Sequence, residues 1–249
     1  MLTPTMLKIF TYLSSLIFCL SVFTVNAQNT KKLPDKIKTP LFNGITIQAD
    51  VASVVSSALS TGESYSYEAG AQVDLKHKFY PIVELGYAGA NKTSNDNINF
   101  NTQGIFGRIG VDINLLSPKK DEKPSTNLFL AGVRLGMTRF LYNINNVTIT
   151  DDYWGETQTF NYSNVSSTKI WYEIVAGVRV EVTKNIFMGW TIRSKNLLTQ
   201  DISGNVAPWY IPGFGTNNGS NWGFNYTIGY KLKIPFKSKR AVILNTSKK

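Results

Sequence analysis

The chain has 249 residues, a formal net charge of +10, 12% aromatic residues and one cysteine, Cys19. Such a charge in a cytosolic protein would point to nucleic acid, but the N-terminus reads as an export signal, which sets that partner aside. With Cys19 inside the exported leader, the mature chain has neither disulfides nor a zinc–thiolate site.

Residues 1–27 read as a signal peptide. Lys8 precedes a mostly apolar run from Ile9 to Val25, and Val25-Asn26-Ala27 before Gln28 is a small-residue cleavage pattern near Ala27. Two alternatives stand beside it. A membrane anchor helix is weakened by Thr11, Ser14, Ser15, Ser21 and Thr24, and a lipoprotein anchor on Cys19 by the bulky Phe18 before it. No other stretch of the chain is apolar for about 20 residues, so a membrane form of the mature chain must be a closed β-barrel. Residues 28–43 contain Lys and Pro without periodicity and read as a periplasmic lead-in.

From residue 44 the chain alternates with period two, the mark of strands with one apolar and one polar face. The first strand runs from Gly44 to about Val54, with Ile45, Ile47, Ala49 and Val51 outward and Thr46, Gln48 and Asp50 inward; a polar loop at Ser60–Ser64 follows. The second, Tyr65–Leu75, sets Tyr65, Tyr67, Ala69, Ala71 and Val73 against Glu68, Gly70, Gln72 and Asp74, and ends in a tight turn, Lys76–Tyr80. The third carries Val83, Leu85 and Tyr87 opposite Glu84 and Gly86, and Asn91–Gln103 reads as an Asn-rich loop. The fourth, Gly104–Leu115, alternates Ile105, Ile109, Val111 and Ile113 with Arg108, Gly110, Asp112 and Asn114 before a Pro- and Lys-containing turn at Ser117–Thr126.

The fifth strand, Asn127 to about Thr138, sets Phe129, Ala131, Val133, Leu135 and Met137 against Gly132, Arg134 and Gly136; a long loop to about Val165 follows. The sixth, Thr168–Val182, opposes Ile170, Tyr172, Ile174, Ala176, Val178 and Val180 to Glu173, Gly177, Arg179 and Glu181, with a turn at Thr183–Asn185. The seventh places Met188, Trp190 and Ile192 against Gly189, Thr191 and Arg193. After a long loop from Asn196, the last strand, Asn221–Phe236, sets Trp222, Phe224, Tyr226, Ile228, Tyr230, Leu232 and Ile234 against glycines, Asn225, Thr227, Lys231 and Lys233.

These observations predict an all-β fold, an antiparallel up-and-down transmembrane β-barrel of about eight strands over residues 44–236, followed by a basic periplasmic tail, 237–249. Short turns alternate with long loops, so the turns and both termini belong in the periplasm. A soluble sandwich also alternates. Two features favour the barrel: the apolar faces carry no charge and end in aromatics, and most strand glycines share the charged face, where a narrow lumen needs room. A lipocalin-like cup would require an apolar lumen instead.

The inward charges are nearly balanced: Asp50, Glu68, Asp74, Glu84, Asp112, Glu173 and Glu181 face Arg108, Arg134, Arg179, Arg193, Lys231 and Lys233, which predicts a salt-bridged plug rather than an open pore. Catalysis has little to stand on. His77, the single histidine, falls in a short turn and reads as solvated. Asp151, Asp152 and Glu156 could hold a divalent cation, but the spacing matches no loop motif and an acidic solvated turn reads better; no metal and no cofactor are expected. Pro208, Trp209, Tyr210, Ile211, Pro212 and Phe214, with Tyr153 and Trp154 from the preceding long loop, are candidates for a recognition surface. The competing reading folds that segment over the barrel mouth or into the membrane interface. The turn end gathers lysines, among them Lys31, Lys32, Lys76, Lys78, Lys119, Lys120, Lys184 and Lys237, while the loops lean acidic with Glu63, Asp96, Asp151, Asp152, Glu156 and Asp201. Such a basic face would attract anionic headgroups or an acidic periplasmic partner.

The signal peptide, the strands and the alternating loop lengths resemble the OmpA/OmpX-like class of small outer-membrane barrels. Thr39-Pro-Leu-Phe-Asn-Gly44, Tyr80-Pro-Ile-Val-Glu-Leu-Gly-Tyr87, Trp209-Tyr-Ile-Pro-Gly-Phe-Gly215 and Trp222-Gly-Phe-Asn-Tyr226 resemble an uncharacterised family of Bacteroidota outer-membrane proteins known only as a domain of unknown function. The resemblance implies a fold and an outer-membrane location but no activity; the tail after Phe236 departs from the terminal aromatic with which bacterial barrels commonly end. Three roles follow as expectations. The first is a monomeric, non-enzymatic barrel in outer-membrane lipid, structural or surface-binding through its outer loops. The second is a PorT-like assembly factor or partner of a cell-envelope secretion complex, working through its basic periplasmic face. The third is a narrow channel or small-molecule carrier.

Overall fold

The computed structural model describes residues 41–59, 63–116, 125–150, 157–199 and 206–232. In chain order these form β1 (Phe42–Asp50), α1 (Val51–Leu59), β2 (Ser64–Leu75), β3 (Phe79–Thr93), β4 (Asn99–Asn114), β5 (Leu128–Thr150), β6 (Thr157–Thr183), β7 (Ile186–Leu197), the short β8 (Tyr210–Ile211) and β9 (Gly215–Thr216), and β10 (Ser220–Leu232). Eight strands close into a barrel in which every pairing is antiparallel; each joins consecutive strands of the ring, β7 and β10 being separated by the short β8 and β9, except for the pairing of β1 with β10 that closes it. The fold is an all-β antiparallel barrel, as the period-two pattern predicts.

The two faces of the wall separate as the alternation requires. Outward residues such as Val83, Leu85, Ile105, Ile109, Val133, Met137, Ile174, Trp190 and Phe224 are exposed, while inward Glu84, Arg108, Asp112, Arg134, Glu173 and Arg193 are buried. On β5 the outward apolar run Phe129–Met137 spans roughly 20 Å, at about 3.4 Å per residue and a tilt near 40°. Arg139, the first outward charge on that strand, lies beyond it and is exposed.

The glycines of the inner face have a mechanical explanation. Gly86 pairs with Phe106 and Gly136 with Trp171. A Cβ on either glycine would overlap the ring of its partner. The small residue on one strand is therefore what admits the large lumen side chain of the next.

Three expectations need correction. Residues 51–54 leave the sheet and start α1, because β1 stops after its last pairs, Ala49 with Ala69 and Asp50 with Thr227. The Asp50 carboxylate accepts the Ala52 N–H at 3.1 Å and caps the helix. Residues 91–103 are mostly not loop: β3 and β4 stay paired as far as Thr93 with Asn99, leaving 94–98 as the connection. Likewise the segment read as a loop before Val165 is largely a hairpin, with β5 and β6 paired out to Thr150 and Thr157 across two bulges. Beyond the apolar belt the outward face of these strands is polar and the apolar residues, Phe100, Phe140, Tyr142 and Ile144, face inward, so the outward apolar row that marks the strands lower down is missing. The signal peptide, most of the lead-in, Lys233 and Ile234 at the end of the last strand, and the basic tail lie outside the described residues.

Candidate functional site

The interior divides into a charged layer and an aromatic layer above it, toward the long-loop end. Alternation on five strands brings the charged layer together: Glu68 on β2, Glu84 on β3, Arg108 on β4, Glu173 on β6 and Arg193 on β7 all point inward. Arg193 holds Glu84 with two parallel bonds, Nη1 to Oε2 at 2.8 Å and Nη2 to Oε1 at 3.0 Å, and reaches Glu173 at 3.3 Å. Arg108 donates to Glu68 at 2.8 and 3.2 Å and to Glu84 at 3.4 Å, and its Nε lies 2.8 Å from Glu173 as an ion pair. The Trp171 indole N–H donates to the same Glu173 at 2.8 Å.

One step toward the turns, Arg134 on β5 donates to Asp112 on β4 at 3.1 Å, and Gln72 donates to Asp112 at 2.8 Å. Arg179, expected against a carboxylate, donates instead to the amide oxygen of Gln48 at 3.2 Å. Asp50 lies beside the end of β1, where its carboxylate accepts from the side chain of Asn225 and from the Tyr226 N–H at 3.1 Å. The turn end forms its own small cluster: Asp74 accepts from Lys231 at 2.6 Å and lies 2.9 Å from His77 Nδ1. His77 is thus half-buried against Asp74 rather than simply solvated. Glu181 sits at the same end and accepts the Asn185 N–H of the last turn at 3.0 Å. A gap of about 10 Å³ remains between Gln48, Asp50, Glu68, Glu84, Arg193 and Thr227, room for about one water.

The aromatic layer is filled from the wall and from the segment 206–219. Phe100, Phe106, Phe140, Tyr142, Ile144 and Trp171 are buried on inner faces of β4, β5 and β6, and Ile211 and Phe214 descend among them. Phe214 meets Trp171 edge to face at 5.9 Å between centroids, and Trp209 stacks on Phe100 at 5.3 Å. Tyr142 donates its hydroxyl to the Val206 carbonyl, and Asn217 ties the strap to itself by donating to the Pro208 carbonyl at 2.9 Å. Gly213, at φ 79°, turns the strap against the Phe106 ring, where a Cβ would not fit. Burial, and secondarily the Glu68 charge, pushes the Tyr210 phenol up to about 12, so it stays neutral.

Arg108 joins the two layers. Its Nη2 donates to the Gly213 carbonyl at 2.9 Å, its guanidinium lies 4.7 Å from the Phe106 ring centroid, and Lys195 donates to the same carbonyl at 2.8 Å. The cap is therefore held by cations of the layer beneath it.

The proposed recognition residues are placed otherwise than as an exposed patch. Pro208, Ile211, Pro212 and Phe214 are buried in the mouth, and Trp209 and Tyr210 are half-buried. An apolar run in an otherwise polar set of loops seals the barrel. Tyr153 and Trp154 lie outside the described residues, as do Asp151, Asp152 and Glu156. Among the described residues no cluster of three or more His, Cys, Asp or Glu could hold a metal. The sequence reading did not single out Phe106, Trp171, Lys169 or Lys195. Their signal was parity: Phe106 stands two residues before Arg108, and Trp171 and Lys169 two and four residues before Glu173, all on the charged face.

The family profile described as Domain of unknown function (DUF6048) matches residues 6–239. The chain belongs to that family. Among solved structures, Neisserial surface protein A is similar to this DUF6048 chain at 14% identity, over 77% of this chain and 96% of that one, with a TM-score of 0.32. No curated protein sequence matches it. The barrel assignment of this DUF6048 chain rests on its own closed ring of strand pairings. No described helix is long and apolar enough to cross a membrane, which leaves β-barrel crossing untouched.

Proposed function

We propose that this protein is a non-enzymatic integral barrel of the outer membrane, monomeric in the lipid, with both ends of the chain in the periplasm after cleavage near Ala27. It acts as a structural or surface-binding protein through its long-loop face. One observation carries the reading: the closed wall turns its apolar residues outward and its charges inward, the reverse of what a soluble barrel could tolerate in water. The wall is also aromatic where a membrane interface would lie, with Tyr65, Tyr67 and Tyr87 grouped on its outer side at 5.9 to 6.2 Å between centroids.

The filled lumen supports a closed barrel over a permeation path. Trp171, Arg108, Phe106 and Glu173 are each buried to 2% exposure or less, and the ion pairs of Arg108 and Glu173 would have to break for a solute to pass. Among the described residues, the surface that remains for a partner is the polar hairpin of β5 and β6. Its residues Thr157–Asn161 are all exposed, past the point where β4 ends opposite Asn145. The decisive test is extraction of washed outer-membrane vesicles with alkali and urea, with boiled and unboiled samples compared by gel mobility. Retention with a heat-dependent shift is expected. Release into the wash without a shift would exclude an integral barrel.

A further inference from the structure

Among the described residues the barrel wall has a gap beside β1, and α1 fills it. β1 makes its last pairs at Ala49 and Asp50, yet its neighbours run on: β2 continues to Ser64 and β10 to Ser220, each still paired on its other side with β3 and β7. Between these two edges, over Ser64–Glu68 and Ser220–Tyr226, there is no β1. A row of edge backbone groups opens onto a seam, which in hydrocarbon is costly unless the groups find partners.

α1 occupies that seam, in contact with both β2 and β10. Its side chains divide by helical spacing. Ser53 and Ser57, one turn apart, form the polar side; Ser57 Oγ accepts the Ser66 N–H of the β2 edge at 2.9 Å, and Asp50 at the cap accepts the Tyr226 N–H of the β10 edge. Val54, Val55, Ala58 and Leu59 form the other side. They are exposed, at 45%, 51% and 77% for Val54, Val55 and Leu59. A surface helix of a soluble protein turns its apolar stripe to the core and its polar side to water. This helix does the opposite, because the wall it completes offers backbone hydrogen-bonding groups and its other side looks away from the barrel.

We propose that α1 is an interfacial helix that closes the seam between β2 and β10 with its serine side and seats Val54, Val55, Ala58 and Leu59 in the lipid of the outer leaflet. The inference rests on the reading of the wall as membrane-spanning. Lipid is the occupant because the apolar side of α1 continues the outward rows of its neighbours. Those rows end at its height in Tyr65 and Tyr67 on β2 and in Trp222 and Phe224 on β10, the aromatic residues that favour the headgroup level. The helix carries no charge that would call for water or for an acidic or basic partner.

The test uses the full chain with Cys19→Ser, reconstituted in phosphatidylcholine and phosphatidylglycerol vesicles with or without dibrominated phosphatidylcholine. An environment-sensitive label is placed singly at Val55→Cys, Leu59→Cys or Ile109→Cys, the last in the middle of the outward belt. The expected result is loss of fluorescence to brominated lipid at Val55 and Leu59, as at Ile109. Loss at Ile109 alone, through exposure of the helix to water or cover by a second copy or another protein, overturns the inference and leaves the membrane barrel standing. No loss at Ile109 overturns both.

Discussion

The two layers of the lumen solve the same problem, filling a narrow barrel, by opposite chemistry. In the charged layer Glu68, Glu84 and Glu173 are paired with Arg108 and Arg193, and three of these pairs, Arg108 with Glu68, Arg108 with Glu173 and Arg193 with Glu84, join strands that are not neighbours, so the layer ties the wall across its interior. In the aromatic layer Phe100, Phe106, Trp171 and Phe214 pack as the core of a soluble domain would, and the strap that supplies Phe214 is held by this packing together with the bonds from Arg108 and Lys195 to the Gly213 carbonyl. The difference teaches that the charged layer determines which barrel forms, since a buried charge left alone is costly, while the aromatic layer determines whether the barrel is sealed.

The sharpest way to break this contrast is Glu84→Ala. It leaves Arg193 without its bidentate partner, removes an acceptor from Arg108 and takes away the ion-pair partner 3.6 Å from Arg134; the barrel should lose about 3 to 5 kcal/mol, read as a lower urea midpoint in the heat-modifiability gel. An unchanged midpoint would mean that water rather than the carboxylate satisfies those guanidiniums. Trp171→Ala removes the largest side chain of the aromatic layer together with a hydrogen bond to Glu173. It should cost about 3 to 4 kcal/mol, and because it touches both layers it should also loosen the strap. Phe214→Ala separates the layers: the strap 206–219 should become a site of rapid limited proteolysis while the gel shift of the barrel is retained. Equal loss of both would show that sealing and barrel formation are one event. The smallest effect is expected from Ser57→Ala, about 1 kcal/mol for one hydrogen bond to a strand edge, detected as faster amide exchange at Ser66 with little change elsewhere.

The barrel was legible because a wall with lipid on one side and packed side chains on the other imposes period two on every strand, and residues such as Ile105, Arg108, Ile109 and Asp112 obey it. The charged layer followed from the same parity. What could not be read has physical reasons. Above the belt the β3–β4 and β5–β6 hairpins have water on one face, so Asn101, Asn143 and Asn161 serve a strand as well as Ile would, and the outward apolar row gives way to an inward one through Phe100, Tyr142 and Ile144. Val51-Ala-Ser-Val-Val55 is β-branched and short, and over nine residues a period of 3.6 is hard to distinguish from one of 2. The strap looked like an exposed aromatic loop because sequence does not say whether Trp209 and Phe214 turn outward or down. Their burial depends on Gly86 and Gly136, far away in the chain, leaving space for Phe106 and Trp171.

The short first strand also bears on how the ring is made. Every other pairing in the barrel joins neighbours in the chain, and those hairpins can form as soon as each pair of strands exists. The pairing of Ile45 with Leu232 must wait for nearly the whole barrel segment and carries the largest loop-closure entropy of any contact in the wall. Among the described residues it is made over six residue pairs, as few as join β1 to β2 and fewer than in any other pairing of the wall, so the last step of assembly has few bonds to drive it. A curled sheet with β1 and β10 still apart is therefore the natural intermediate, and its two open edges are the place where an assembly catalyst would have most to gain by holding the chain.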